Sequence, residues 1–160
     1  MTTDLSDLPR APRRLGRADL RRIYEAARTI AVVGASAREG RPAHYVPAYL
    51  ASQGYRVVPV NPRGGEWFGE RVRPSLADIG EPIDVVDVFR PPEEGSAIVR
   101  AASDAGARVV WFQPGTESPE ATAAAADAGL AIVTRLCMGV THGTLGLGPG
   151  AGEHGDASED

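Results

Sequence analysis

Five short apolar segments recur along the chain and alternate with amphipathic ones. They are rich in β-branched and aromatic residues and cover residues 29–33, 55–60, 84–89, 108–112 and 130–134. Segments of this length and composition are typical of strands that are buried on both faces of a parallel sheet. We therefore predict five strands in the core of one sheet.

The segments between these strands carry apolar residues at helical spacing. A first short helix is predicted to end near Arg28, and further helices are expected at about residues 43–52, 92–105 and 118–128, with one helical turn at 75–79. The three longer helices are followed by Gly54, Gly106 and Gly129, which suit the left-handed conformation that ends a helix. The alternation predicts an α/β fold of three layers: a Rossmann-like five-stranded parallel sheet in the order 3-2-1-4-5, with helices on both faces.

Both ends of the chain differ from this pattern. Residues 1–16 are rich in Pro, Asp and Arg and are predicted to form an extended lead-in rather than part of the core. The domain itself is predicted to span residues 17–142. Residues 143–160 form a Gly-rich acidic tail, and disorder is expected from about Leu147 because this composition buries little apolar surface.

Composition and charge narrow the function classes. The chain has 160 residues, of which 42% are hydrophobic and 24% charged, as expected for one soluble domain. The formal charge of −4 argues against nucleic acid or an anionic membrane as a partner. No segment reaches the roughly 18 apolar residues of a membrane span, and no secretory signal begins the chain, so a cytoplasmic location is expected. All 17 basic residues are Arg, which excludes Schiff-base and P-loop lysine chemistry.

A loop of small residues follows the first predicted strand, where the strand order of such a sheet reverses. Gly34, Ala35 and Ser36 would allow backbone amides to approach a diphosphate, and the next helix would add the positive end of its dipole. Arg38 or Arg41 could form a forked ion pair with phosphate. The alternative is that Gly34 only makes a tight turn between strand and helix.

The loop departs from the dinucleotide fingerprint G-x-G-x-x-G, because Ser36 and Glu39 replace its second and third glycines. The second strand ends in Val60-Asn-Pro-Arg63 instead of the acidic residue that binds the ribose of NAD. Both departures argue against NAD. Arg63 suits the additional phosphate of NADP or of coenzyme A, or it is a solvated loop arginine.

Several short motifs together resemble those of the small bacterial CoA-binding proteins. The motifs are Val33–Ser36 with Arg41-Pro42, Gly54–Pro62, Pro74–Ile79, Asp84–Arg90 and Trp111–Gly115. The single domain of these proteins resembles the nucleotide-binding domain of the succinyl-CoA ligase alpha subunit. The resemblance covers about residues 28–138 and implies a Rossmann-type domain with coenzyme A or an acyl-CoA as its ligand.

The resemblance also implies where each part of coenzyme A would bind. The loop Gly34–Ser36 would hold the pyrophosphate. The residues that would border the adenosine and its 3′-phosphate follow the second strand and are Asn61, Pro62 and Arg63. Those that would flank the adenine or the diphosphate follow the third strand and are Phe89, Arg90 and Pro91. Two residues after the fourth strand would line the path of the pantetheine arm, Gln113 and Gly115.

The segment Arg135–His142 departs from the family pattern. It contains Cys137 and a following Met, but it lacks the basic and acidic residues that often come next in such proteins. Cys137 is therefore interpreted as a structural thiol. The alternative is that it lies near the thiol of coenzyme A, in contact or as a mixed disulfide.

The other polar candidates give no catalytic or metal site. His44, His142 and His154 have no cluster of Cys or carboxylate residues to complete a metal shell. Asp84 and Asp87 are three residues apart, which places them on opposite faces of a strand rather than together as an acid and a base. Asp84 is interpreted as a residue at the start of a strand, and Asp87 has no assigned role.

These observations predict a domain that binds coenzyme A or an acyl-CoA without a catalytic centre of its own, as a carrier, sensor or regulator. The chemistry of the ligase depends on a phosphorylated histidine in a second domain, for which we find no counterpart. Two alternatives stay open: a small NADP-linked oxidoreductase, and a protein-interaction module without ligand. A homodimer or an unidentified protein partner is compatible with either.

Overall fold

Five parallel strands form the central sheet of the protein in this computed structural model, which describes residues 4–148. The strands are β1 (Thr29–Val33), β2 (Arg56–Val60), β3 (Val85–Val88), β4 (Val109–Phe112) and β5 (Ala131–Val133). Arg56, at the start of β2, is the one strand residue of this sheet that is exposed. The five predicted strands are therefore confirmed, together with their burial on both faces.

Helices connect and cover the strands. They are α1 (Arg17–Ala26), α2 (Pro42–Ser52), α3 (Gly95–Asp104), α4 (Pro119–Ala128) and α5 (Met138–Thr144). Three short 3-10 helices cover Leu5–Asp7, Leu76–Asp78 and Pro92–Glu94. The glycines after α2, α3 and α4 have φ angles of +102°, +86° and +75°, as predicted for helix ends. Helix α5 was not predicted from the sequence.

The strand order differs from the prediction in the position of the third strand. The sheet has the order β2-β1-β3-β4-β5, so β3 pairs with β1 and not with β2. The outer edge of β2 is already occupied, because Arg73 N donates to Pro59 O and Asn61 N donates to Arg73 O, both at 2.9 Å. This bridge between Arg73 and Val60 lies where a Rossmann sheet has its third strand. When the bridging segment at Arg73 is counted as a strand, the strand order is that of the Rossmann sheet. The predicted fold class is therefore confirmed.

Two apolar clusters cover the two faces of the sheet. Alternate residues of β4 face opposite sides, so Val109 and Trp111 belong to one cluster and Val110 and Phe112 to the other. The Trp111 side is covered by residues of α1, α2 and α5, and the Phe112 side by residues of α3 and α4. The predicted arrangement of helices on both faces is present.

The N-terminal segment packs more closely on the domain than the predicted lead-in. Leu5 and Leu8 are buried in the cluster on the Trp111 side, and Ala11 N donates to Leu130 O at 2.8 Å. These contacts make the segment part of the core. At the other end, the predicted disordered tail lies, beyond Gly148, outside the described residues.

A short antiparallel hairpin, formed by Glu66–Trp67 and Glu70–Arg71, interrupts the connection from β2 to β3. Two arginines tie it to the edge of the sheet. Arg56 forms ion pairs with Glu70 at 2.8 Å and with Glu81 at 2.9 Å, and Arg73 pairs with Glu70 at 2.6 Å. The hairpin is thus held by charge on the same sheet edge that the Arg73 bridge occupies.

Candidate functional site

The candidate site lies at the carboxyl ends of β1 and β3, where the strand order reverses. Gly34 follows β1 with a φ of +95° and donates its N–H to Val60 O at 2.8 Å. A Cβ at this position would lie 2.7 Å from Phe89 O and 2.9 Å from Arg90 Cδ. Only glycine fits here without strain, because both the φ angle and the contact with the end of β3 exclude a side chain.

Hydrogen bonds join the loop after β1 to its neighbours. Asn61 Nδ2 donates to Ala35 O at 3.0 Å, and Ser36 N donates to Ala43 O in α2 at 3.1 Å. Asn61 Oδ1 also accepts from Arg63 N at 3.0 Å. The predicted residues after β1 and β2 are therefore brought together on one edge of the sheet.

The three arginines predicted at this edge have different surroundings. Arg41 is the N-cap residue of α2, and both Arg41 and Arg63 are exposed. Arg90 forms a forked pair with Glu94, with Nε to Oε1 at 2.9 Å and Nη2 to Oε2 at 2.7 Å. This pairing raises the pKa of Arg90 and lowers the pKa of Glu94. Arg41 and Arg63 are thus more accessible to an anionic ligand than Arg90 is.

A cavity of about 750 Å³ opens beside this edge, between the start of α2, the ends of β3 and β4, and the start of α5. Its wall is mainly apolar and aromatic, and includes Tyr45, Val46, Tyr49, Phe89, Pro114 and Val140. Of the predicted site residues, Arg41, Phe89 and Gln113 line it. The others, on the loops after β1, β2, β3 and β4, lie outside its lining.

The residues contributed by α2 and α5 were not predicted as site residues. On α2, Pro42, Val46 and Tyr49 follow helical spacing, and this pattern is the signal that could have identified one apolar face towards a ligand. On α5, Gly139 packs closely against α2, since a Cβ there would lie 3.3 Å from Val46 Cγ1. The close approach of these two helices forms one end of the cavity.

Gln113 and Asp87 form a buried polar pair behind the cavity wall. Gln113 lines the cavity and is 4% exposed, and its Nε2 donates to Asp87 Oδ1 at 2.6 Å. Asp87 is fully buried, and its Oδ2 has no hydrogen-bond partner among residues 4–148. Burial raises the pKa of Asp87 to about 7, although the hydrogen bond from Gln113 acts in the opposite direction. Asp84, by contrast, accepts from Arg28 N and Thr29 N at the start of β1.

Cys137 and His142 have different environments. Cys137 is a free, half-buried thiol in the cavity wall, directly before α5. His142 is 1% exposed, and its Nδ1 lies 2.8 Å from Tyr49 Oη. Its ring lies within an aromatic cluster with Tyr24, Tyr49 and Tyr55, and burial lowers its pKa. His142 is therefore a core residue, whereas Cys137 is available to a ligand in the cavity.

Within residues 4–148, no group of three or more His, Cys, Asp or Glu side chains is placed to hold a metal ion. No helix in the same residues is both long enough and apolar enough to cross a membrane.

A doubly wound parallel sheet with a glycine turn and a cavity at its switch point defines the class of Rossmann-type ligand-binding domains. Comparison with known proteins specifies the family. The family model described as CoA binding domain matches residues 28–143, and the chain belongs to this family.

The chain is also similar to individual proteins and solved structures. The uncharacterized protein YneT of Bacillus subtilis is 34% identical over 126 residues, which cover 79% of this chain and 93% of YneT. The structure of ID.343 from Thermus thermophilus is 44% identical with a TM-score of 0.78, and the match covers 82% of this chain and 99% of that one. A dinucleotide-forming acetyl-coenzyme A synthetase of Ca. Korarchaeum cryptofilum, in complex with phosphate and ADP, is 25% identical with a TM-score of 0.62. That match covers 71% of this chain and 26% of the synthetase.

Proposed function

We propose that this protein binds coenzyme A or an acyl-CoA along the carboxyl edge of the sheet. The observation that carries the proposal is the cavity that opens beside the glycine turn of a chain belonging to the CoA-binding domain family. The diphosphate would lie against Gly34, Ala35 and Ser36. The pantetheine arm would extend into the cavity past Gln113.

The charges at this edge suit the phosphates of such a ligand. Gly34 provides a turn without a side chain, and α2 begins close to it, so the positive end of the α2 dipole favours an anion. Arg63 follows the bonded Asn61 and is the residue we propose for the 3′-phosphate. Arg90 pairs with Glu94 through Nε and Nη2, so it would offer a phosphate only its remaining N–H donors.

The cavity suits the pantetheine arm in volume and chemistry. Ligand sites of this kind usually measure about 300–1,000 Å³ and combine apolar walls with a few buried polar groups. Here the wall is mainly apolar and Gln113 is a buried polar group within it. A flexible arm with methyl groups and two amides fits this combination.

We propose a carrier, sensor or regulatory role rather than catalysis. The titratable side chains in the cavity wall are Arg41, Tyr45, Tyr49 and Cys137. Within the described residues, no carboxylate or histidine of the wall stands beside Cys137 as a base. An adjacent base is the usual means by which a nucleophile is activated in covalent catalysis.

Isothermal titration of the purified, ligand-stripped protein with coenzyme A tests the proposal. We expect saturable binding with a stoichiometry of one per chain. Absence of binding at millimolar coenzyme A would reject the proposal.

Replacement of Arg63 by Ala tests the assignment of the 3′-phosphate. The variant should bind coenzyme A about 5- to 20-fold more weakly, since a charge-assisted hydrogen bond is lost. Its affinity for dephospho-coenzyme A should stay within twofold of the unmodified protein. Arg100→Ala, on the exposed side of α3, is the matched control and should change neither affinity. Equal losses for both ligands in Arg63→Ala would remove the assignment.

A further inference from the structure

Asp87 is a costly residue for the interior of a sheet. It lies in β3 with no exposed surface, and among residues 4–148 one of its oxygens has no hydrogen-bond partner and no cation pairs with it. A buried carboxyl in this state destabilises a protein relative to a neutral residue of the same shape. Its contribution to folding therefore does not explain its presence.

The hydrogen bond from Gln113 gives Asp87 a geometric effect on the cavity. Above about pH 7 the Asp87 carboxyl is ionised and only accepts hydrogen bonds, so it then requires the NH₂ group of the Gln113 amide to point towards it. The other end of that amide, Oε1, has no hydrogen-bond partner within residues 4–148. Oε1 is not fully buried. Gln113 lines the cavity, so this free acceptor belongs to a residue of the cavity wall.

We propose that Asp87 is a positioning residue that fixes the Gln113 amide with Oε1 towards the cavity, where Oε1 accepts a hydrogen bond from an amide N–H of the bound pantetheine arm. The inference rests on the proposed function and specifies the ligand group that the cavity selects. A ligand with an N–H at this depth is favoured over one that presents only an oxygen or a methylene there. Asn at position 87 would not have the same effect, because its amide can donate as well as accept and would leave both orientations of Gln113 open.

The test compares two ligands across three variants. Coenzyme A carries the arm, and 3′-phospho-ADP carries the same phosphates without it. The variants are Gln113→Met, which removes the acceptor at similar volume, Asp87→Asn, which removes the constraint, and Asp104→Asn, a matched control on the exposed end of α3. Affinities come from isothermal titration at pH 8, above the pKa of Asp87, and circular dichroism confirms that each variant is folded.

We expect Gln113→Met to bind coenzyme A about 5- to 10-fold more weakly, the loss of one ordinary hydrogen bond. Asp87→Asn should lose about two- to fivefold, and Asp104→Asn should lose nothing. All three should bind 3′-phospho-ADP within twofold of the unmodified protein. Equal losses for both ligands, or unchanged binding of coenzyme A by Asp87→Asn, would overturn the positioning role.

Two analogues of coenzyme A, each with an ester in place of one arm amide, provide a readout that a merely structural role would not change. One of them should bind the unmodified protein about 5- to 10-fold more weakly than coenzyme A, and should show no such deficit with Gln113→Met. If neither analogue binds the unmodified protein more weakly, or if the deficit persists in Gln113→Met, the inference is wrong while coenzyme A binding stands. If the unmodified protein binds neither coenzyme A nor 3′-phospho-ADP, the proposed function itself fails.

Discussion

At the scale of single residues, Gly34 combines two constraints that can be separated by mutation. Gly34→Ala meets both a positive φ and a contact of 2.7 Å with Phe89 O, whereas Gly40→Ala meets a φ of +87° with no atom within 4 Å of the added Cβ. Gly40→Ala should cost about 1–2 kcal/mol of unfolding free energy, and Gly34→Ala roughly 1–2 kcal/mol more. Urea denaturation measures both. If both variants lose the same unfolding free energy, the end of β3 moves to accommodate the methyl group added at Gly34.

Asp87 makes a residue-scale prediction about pH. Its pKa is raised from 3.8 to about 7, so the folded protein holds a proton between these values that the unfolded chain has lost. The contribution of Asp87 to the unfolding free energy is therefore largest below about pH 4. It falls as the pH rises to 7, by at most about 1.4 kcal/mol per pH unit. Asp87→Asn removes this dependence. The difference between its unfolding free energy and that of the unmodified protein should increase in favour of Asp87→Asn from pH 5 to pH 7. Above pH 7 this difference should stay constant.

Urea denaturation at pH 5, 6, 7 and 8 measures this difference. The exposed Asp104→Asn serves as the control and should track the unmodified protein throughout. If the difference in unfolding free energy between Asp87→Asn and the unmodified protein does not change with pH, the pKa of the buried Asp87 is not raised. Together with the ligand data, the result separates the stability cost of this carboxyl from its proposed role in positioning Gln113.

At the scale of elements, the hairpin of residues 66–71 depends on charge. Hydrogen bonds from Arg56 and Arg73 lower the pKa of Glu70 to about 2, so its contribution is present above about pH 4.5 and is lost as pH falls towards 2. The side chain is 26% exposed and Arg56 is 40% exposed, so solvent screens the pairs. Glu70→Gln should therefore cost only about 1 kcal/mol at pH 7.

Thermal unfolding at pH 7 and at pH 3 checks this expectation. Glu39→Gln, in an exposed loop, is the matched control and should change the unfolding free energy by less than about 0.5 kcal/mol. The cost of Glu70→Gln should shrink at pH 3, because the unfolded chain of the unmodified protein then binds a proton at this carboxyl while the folded protein does not. A cost that is the same at both pH values would indicate that packing, and not charge, holds the hairpin.

At the scale of the whole molecule, ligand binding should stabilise the fold as one unit. Coenzyme A at a free concentration of about 100 times its Kd adds about 2.7 kcal/mol to the unfolding free energy. For a domain of this size, that corresponds to a rise in Tm of about 5–10 °C. Scanning fluorimetry with coenzyme A, and with NADP at the same concentration, gives the measurement.

The outcome separates the three functions that the sequence leaves open. A larger rise with NADP would favour the oxidoreductase. No rise with either ligand would favour an interaction module that has kept the fold without its ligand. A rise with coenzyme A alone supports the proposed function, and the ligand found in native mass spectrometry of the purified protein would then identify any acyl group.

Most of the fold could be predicted because its strands are unusually uniform in composition. Apolar runs such as 109–112 have no polar face, and this composition indicates a strand covered on both sides. The order of those strands could not be predicted, because one bridging residue, Arg73, occupies the edge of β2. Helix α5 was missed because Gly139 and Gly143 lower its helix propensity, and packing on α2 stabilises it instead.

The site was predicted less completely than the fold. Sequence reasoning identified the loop Gly34–Ser36 and the strand ends with Asn61 and Gln113, and these assignments to ligand groups remain predictions. It did not identify Tyr45, Val46 and Tyr49 as cavity residues, because an apolar helix face has the same pattern whether it covers a core or a ligand. It also left Asp87 without a role, since its partner Gln113 is 26 positions away in the chain.

The sequence by itself determined the α/β class and the buried sheet, and it predicted the sheet edge at which we propose that the ligand binds. The reason is that hydrophobic periodicity, composition and glycine placement act locally along the chain. Only the tertiary structure decided which segment closes the edge of β2, how α5 meets α2 to form the cavity, and that Asp87 lies behind Gln113. Each of these depends on contacts between residues far apart in the chain. Local preferences do not encode such contacts, because they form only when the elements pack together.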